Sequence, residues 1–142
     1  MTRTRFTGRH ERTLDPKGRL ALPADYRRQF ESQCFLTFGQ NRCIEVFTPE
    51  GFDAMADDLL EKERRGEKTR ADVRALSHNT FTVNVDAQGR INVDKELRDF
   101  AQIELSSKVV VAGAIDRMEI WNAAAHEAAQ ARGVAGLAGD DD

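Results

Sequence analysis

The chain of 142 residues has two cysteines, three prolines, three histidines and one tryptophan, and each scarcity removes a class of protein. Cys34 and Cys43 lack the CxxC spacing and the nearby histidine pair of a zinc site, so no metal site is expected. Two reduced, partly buried thiols fit them better than a disulfide framework does. His10 has no metal-ligand partner close to it and reads as a surface histidine. No apolar run approaches the roughly 20 residues that cross a bilayer. The N-terminal arginines have no apolar stretch behind them, so a secretory signal is not expected and a cytoplasmic location follows. A Gly-rich phosphate loop, HExxH and GxSxG are all missing, which argues against an enzyme. No cofactor and no small-molecule substrate is expected.

Overall positive charge is missing too. The formal net charge is −3, not the basic balance of a simple nucleic-acid-binding domain. Its distribution is uneven. Residues 1–30 carry eight basic and three acidic residues, a net of +5, which leaves −8 on the other 112. A local basic patch can still hold phosphate, because salt screens distant charge.

What is present is a repeat. Asp15-Pro16-Lys17-Gly18-Arg19-Leu20-Ala21-Leu22 returns as Asp86-Ala87-Gln88-Gly89-Arg90-Ile91-Asn92-Val93, and Tyr26-Arg27 returns as Leu97-Arg98 at the same offset. Farther on, Glu45-Val46-Phe47 corresponds to Glu119-Ile120-Trp121. In each copy the Asp-x-x-Gly unit predicts a tight turn, with Asp first and Gly fourth; Gly18 and Gly89 are backbone requirements that permit a positive φ. Leu20 and Leu22, and Ile91 and Val93, alternate as half-buried strands do. Asp15 with Arg19, and Asp86 with Arg90, can be salt bridges that lock the turns.

A short helix is expected after Pro23 and again over residues 94–100. Strands follow at residues 34–38 and 44–47, then at 109–112 and 118–121 in the second copy. Thr48-Pro49-Glu50 predicts a helix start, as does Asn122, with the second helix running to about residue 132. The chain is therefore expected to divide into a first repeat at 6–60, a linker at 61–80 with one short helix around Val73 and Leu76, a second repeat at 81–132, and a disordered acidic tail at 133–142. Units of this size bury little surface alone, so the copies are expected to share a core or to assemble with other subunits.

The segments Phe6-Thr7-Gly8-Arg9-His10-Glu11 and Leu14 through Arg27 resemble the first signature of the MraZ family; Val85 through Ile91, with Leu97-Arg98 and Phe100-Ala101, is similar to its second. The resemblance covers about residues 6–132. It implies an α+β, β-rich fold, a double-ψ or swapped-hairpin β-barrel made from two tandem AbrB-like (SpoVT-AbrB) repeats with short helices. It also implies a nucleoid-associated transcriptional regulator that binds double-stranded DNA at direct repeats in the promoter of the division and cell-wall gene cluster, as a ring-shaped homo-oligomer. The alternative is an AbrB-like antitoxin or protein-interaction module. The second copy departs from the pattern, with Asp94 where the first has Pro23 and with a net charge of −1 over residues 81–100. The DNA-contacting residues are therefore expected in the first copy. Arg3, Arg5, Arg9 and Arg12 would supply phosphate attraction, and Lys17 and Arg19 would contact base or groove. Asp15, Gly18, Asp86, Gly89 and Arg90 are expected to shape the turns. Arg27 and Arg28 read as a solvated helix face.

Overall fold

The computed structural model describes residues 5–140. Each copy builds the same series of elements. In the first these are β1 (Arg9–Thr13), β2 (Arg19–Ala21), α1 (Ala24–Phe30), β3 (Gln33–Phe38), β4 (Ile44–Phe47) and α2 (Pro49–Arg64). After α3 (Arg70–His78), the second copy runs through β5 (Phe81–Asn84), β6 (Arg90–Asn92), α4 (Lys95–Ala101), β7 (Lys108–Gly113), β8 (Met118–Asn122) and α5 (Ala123–Ala138).

Local chemistry sets the helix starts. The Thr48 hydroxyl accepts from the Gly51 amide, with Pro49 opening α2. Thr69 and Asp72 form a reciprocal capping box at α3. Asn122 accepts from the amides of Ala124 and Ala125. Two boundaries differ from the sequence reading. α2 continues to Arg64, because Glu61 and Arg64 pair at i, i+3 and extend its exposed face. α5 continues to Ala138, so residues 133–138 are helical and not part of a disordered tail. Their alanines favour helix strongly enough to carry Gly133 and Gly136; Asp141 and Asp142 lie outside the described residues.

The two copies exchange strands. β1 of the first pairs with β7 of the second, and β5 of the second pairs with β3 of the first. β4 and β8 pair at the middle, which makes one six-stranded sheet in the order β1-β7-β8-β4-β3-β5. β2 and β6 pair only with each other, as a separate two-stranded ribbon. The strands thus form an open sheet and a ribbon, where the resemblance implied a closed barrel. At the turns that lead into the ribbon, the Asp15 and Asp86 carboxylates take the amides of Lys17, Arg19, Gln88 and Arg90.

Leu20 and Ile91 turn the inner face of the ribbon onto the core. They pack with Phe6, Tyr26, Phe30 and Leu97, and with Val109, Val111, Ile120 and Met118 from the sheet. On the other face of the sheet, Cys43, Val110, Ala112 and Trp121 pack against Ala125 and Ala129 of α5. Phe47 and Trp121 are core residues. One hydrophobic core therefore serves both copies, as expected for units this small. No helix among the described residues is long and apolar enough to cross a membrane.

Candidate nucleic-acid interface

The two Asp-x-x-Gly turns are built alike. Asp15 Oδ1 accepts from the amides of Lys17 (2.9 Å) and Arg19 (2.8 Å), and its Oδ2 accepts from Arg19 Nε (2.8 Å). The Gly18 amide donates to the Asp15 carbonyl at 3.0 Å, closing the turn with φ +82° at Gly18. In the second copy Asp86 Oδ1 accepts from the amides of Gln88 and Arg90, both at 2.9 Å, and Oδ2 from Arg90 Nε at 3.0 Å. Gly89 has φ +78°. The Arg19 amide, more than its guanidinium, holds the Asp15 carboxyl down at about 2; the Arg90 amide lowers Asp86 in the same way. Both arginines lock their turns.

The lock does not use the whole guanidinium. Nε is committed to the carboxylate, while the described structure gives the terminal nitrogens of Arg19 and Arg90 no partner. The ribbon then brings the two together. Arg19 stands opposite Asn92 and Ala21 opposite Arg90, while Leu20 and Ile91 between them face inward. Side chains alternate along a strand, so Arg19, Ala21, Arg90 and Asn92 share the outer face. Lys17 projects from the exposed turn beside them and makes no ion pair among the described residues.

Each turn is also held by the opposite copy. The Val93 amide donates to the Gly18 carbonyl at 2.8 Å, and the Leu22 amide to the Gly89 carbonyl at 2.9 Å. Arg27 Nη2 of the first copy reaches the Ala87 carbonyl of the second at 3.2 Å, whereas Arg98 Nε donates within its own copy, to the Val93 carbonyl at 3.1 Å. Arg27 is thus a turn clamp, which the reading as a solvated helix face missed because the turn it holds belongs to the other copy. Arg28 fits that reading better, exposed and paired with Asp25 at 2.7 Å.

The N-terminal arginines do not gather with the turn. Arg9 and Arg12 differ by three positions on β1, so they leave it on opposite faces. Arg12 stands opposite Val109 on the face of the main core. Arg9 lies on the α5 side, where it adds to burial in lowering the pKa of His126. The Arg5 backbone is bracketed by Gln29, whose side chain accepts from its amide at 2.8 Å and donates to its carbonyl at 2.6 Å. Arg3 lies outside the described residues. His10 is half-buried with its ring edge on Tyr26, centroids 5.4 Å apart, because it stands opposite the core residue Val111; it is not a plain surface histidine.

The family model for the MraZ protein, which its description calls antitoxin-like, matches residues 5–75 and again 76–136. Three relatives, each named transcriptional regulator MraZ, match over most of their length. The protein from Saccharopolyspora erythraea is 42% identical over 83% of this chain and 81% of its own. That from Nocardia farcinica is 38% identical over 86% and 84%, and that from Cutibacterium acnes 35% identical over 83% and 82%.

Proposed function

This chain belongs to the MraZ family, and from that membership we propose that it is a sequence-specific, DNA-binding transcriptional regulator. The observation that carries the reading is the ribbon face, where a rigid turn aims Lys17 and Arg19 outward with Arg90 alongside. An arginine fixed through Nε keeps its terminal amines in a plane that suits a guanine edge or a phosphate. Rigid mounting lowers the entropy lost on contact. In this proposal Lys17 and Arg19 contact base or groove. Arg3, Arg5, Arg9 and Arg12 add sequence-independent phosphate attraction.

The proposed target is the promoter of the division and cell-wall gene cluster, bound at short direct repeats by a ring-shaped homo-oligomer associated with the nucleoid in the cytoplasm. One ribbon carries little excess charge, since each arginine is paired with its own aspartate and only Lys17 is left over. Several ribbons on one ring would engage successive repeats, and linked binding raises affinity without new contacts. The alternative, an antitoxin with a separable toxin-binding tail, fits poorly with a second copy whose strands are interleaved with the first. The test pairs light scattering, for subunit number, with titration of DNA carrying one or several repeats. The proposal expects a closed oligomer and a clear preference for several repeats. A monomer, or equal affinity for one repeat and several, would overturn the ring mechanism.

A further inference from the structure

We propose that Cys43, Glu45 and Glu119 form a site for one divalent, borderline-soft cation of the Zn²⁺ type, at the middle of the six-stranded sheet. The geometry begins with the repeat. Glu45 and Glu119 are equivalent residues of the two copies, and the β4–β8 pairing sets them directly opposite each other. Like charges facing across strands repel, and Glu45 is only 8% exposed.

Arg117 offsets part of this. Its Nη1 donates to Glu45 Oε1 at 3.0 Å, while Trp121 Nε1 donates to Glu119 Oε1 at 2.9 Å. Each carboxylate thus has a donor fixing one oxygen, which is how outer partners orient ligating groups.

The thiol is the independent observation. Cys43 is 1% exposed, forms no disulfide, and donates to no other described residue. Its Sγ nevertheless lies within 4.8 Å of an oxygen from each carboxylate, and those two oxygens lie within 4.8 Å of one another. A tetrahedral zinc needs ligand atoms about 3.5 Å apart, given bonds of roughly 2.0–2.3 Å. The contraction is within reach of χ rotations in two glutamates. Glu45, Glu119, a Cys43 thiolate and Asp116 bring four negative charges against the one positive charge of Arg117, which both Glu45 and Asp116 pair, so a divalent ion offsets most of the excess. A thiolate ligand selects Zn²⁺ or Co²⁺ over Mg²⁺ or Ca²⁺. Glu45 and Glu119 line a cavity of about 530 Å³ with Asp58, Asp116, Lys62 and Lys68, which leaves room for a water as fourth ligand on the carboxylate side.

The sequence reading missed this site because its ligands come from both copies and only the strand pairing joins them. The test is a Co²⁺ titration of full-length protein stripped with chelator, read as the near-ultraviolet thiolate-to-cobalt band. The proposal expects saturation at one equivalent per chain, displacement by Zn²⁺, and no band in Cys43→Ala. Cys34→Ala should keep it. Glu119→Gln retains an acceptor for Trp121 and the fold, and should weaken binding by at least the roughly tenfold that outer-partner losses cost. This variant keeps the test open should Cys43→Ala fail to fold. A wild type without the band, or a band that survives Cys43→Ala, would overturn the site. Neither result bears on DNA binding.

Discussion

Arg27 of the first copy lies against Gly89 of the second. A Cβ added at Gly89 would stand 2.8 Å from Arg27 Nη1 and 2.9 Å from its Cδ. The relationship is mirrored at Gly18, whose added Cβ would meet the Val93 carbonyl oxygen at 3.3 Å and Arg98 Nε at 3.6 Å. Each copy's helix therefore seats the other copy's turn, and the outer ribbon face depends on both.

Gly89→Ala is expected to lower stability in two ways. Forcing alanine to φ +78° costs about 1–2 kcal/mol, and the arginine must also move aside. Gly66 has the same φ but nothing within 4 Å of an added Cβ, so Gly66→Ala should cost only the backbone part. The expected order is a fall in Tm of roughly 2–8 °C for Gly89→Ala, with a smaller fall for Gly66→Ala. Adding Arg27→Ala to Gly89→Ala should cost less than the two single changes summed. Calorimetry on the four variants checks this.

Acid should loosen the turns before it unfolds the core. The Asp15 carboxyl is held at about 2, against an ordinary 3.8, and Asp86 is lowered as well. Because the folded state favours the ionised form, this stabilisation is complete above the unfolded value. It disappears as pH falls from about 4 through about 2. Urea midpoints followed across that interval should fall more steeply for wild type than for Asp15→Asn. The variant should already be weaker at pH 7.

Cleavage between α2 and α3 should not separate the copies. The connection there carries Gly66 at φ +78° and is exposed, but β1–β7 and β3–β5 tie the halves together. After a cut engineered at Gly66, the two pieces should elute together in native size exclusion and separate only in denaturant. Elution as two folded pieces would contradict the interleaved core.

The repeat made the order of elements readable: turn chemistry, alternation and the caps at Thr48 and Asn122 all act within a few residues. Pairing was not readable this way. Nothing local in Arg9–Thr13 says that β1 lies against β7 rather than β2, because strand partners are fixed by the shared core. For the same reason the clamp of Arg27 and the meeting of Glu45 with Glu119 were hidden. The candidate site was half legible. The Asp15–Arg19 lock followed from the turn motif, whereas the scattering of Arg9 and Arg12 to opposite faces needed the register of β1. The end of α5 was misjudged because three terminal aspartates and two glycines outweighed, in the reading, a run of alanines that favours helix.

Arg9→Ala and Arg12→Ala should each weaken binding to native and scrambled DNA alike. In the proposed role these residues meet phosphate only, so each loss should flatten the dependence of log K on log salt by about 1. The ratio of native to scrambled affinity should not change. A fall in that ratio for either variant would move base contact away from the turn.

The most direct test of the account is a fluorescence-anisotropy titration with DNA from upstream of the protein's own gene cluster and with a scrambled control. Wild type is compared with a Lys17→Ala, Arg19→Ala double variant shown by circular dichroism and light scattering to keep its fold and assembly. The account expects wild type to prefer the native DNA and the variant to lose that preference while retaining weak, salt-sensitive binding to both. A variant that keeps the preference would contradict DNA reading by the ribbon face. A wild type with no preference would contradict the proposed regulator itself.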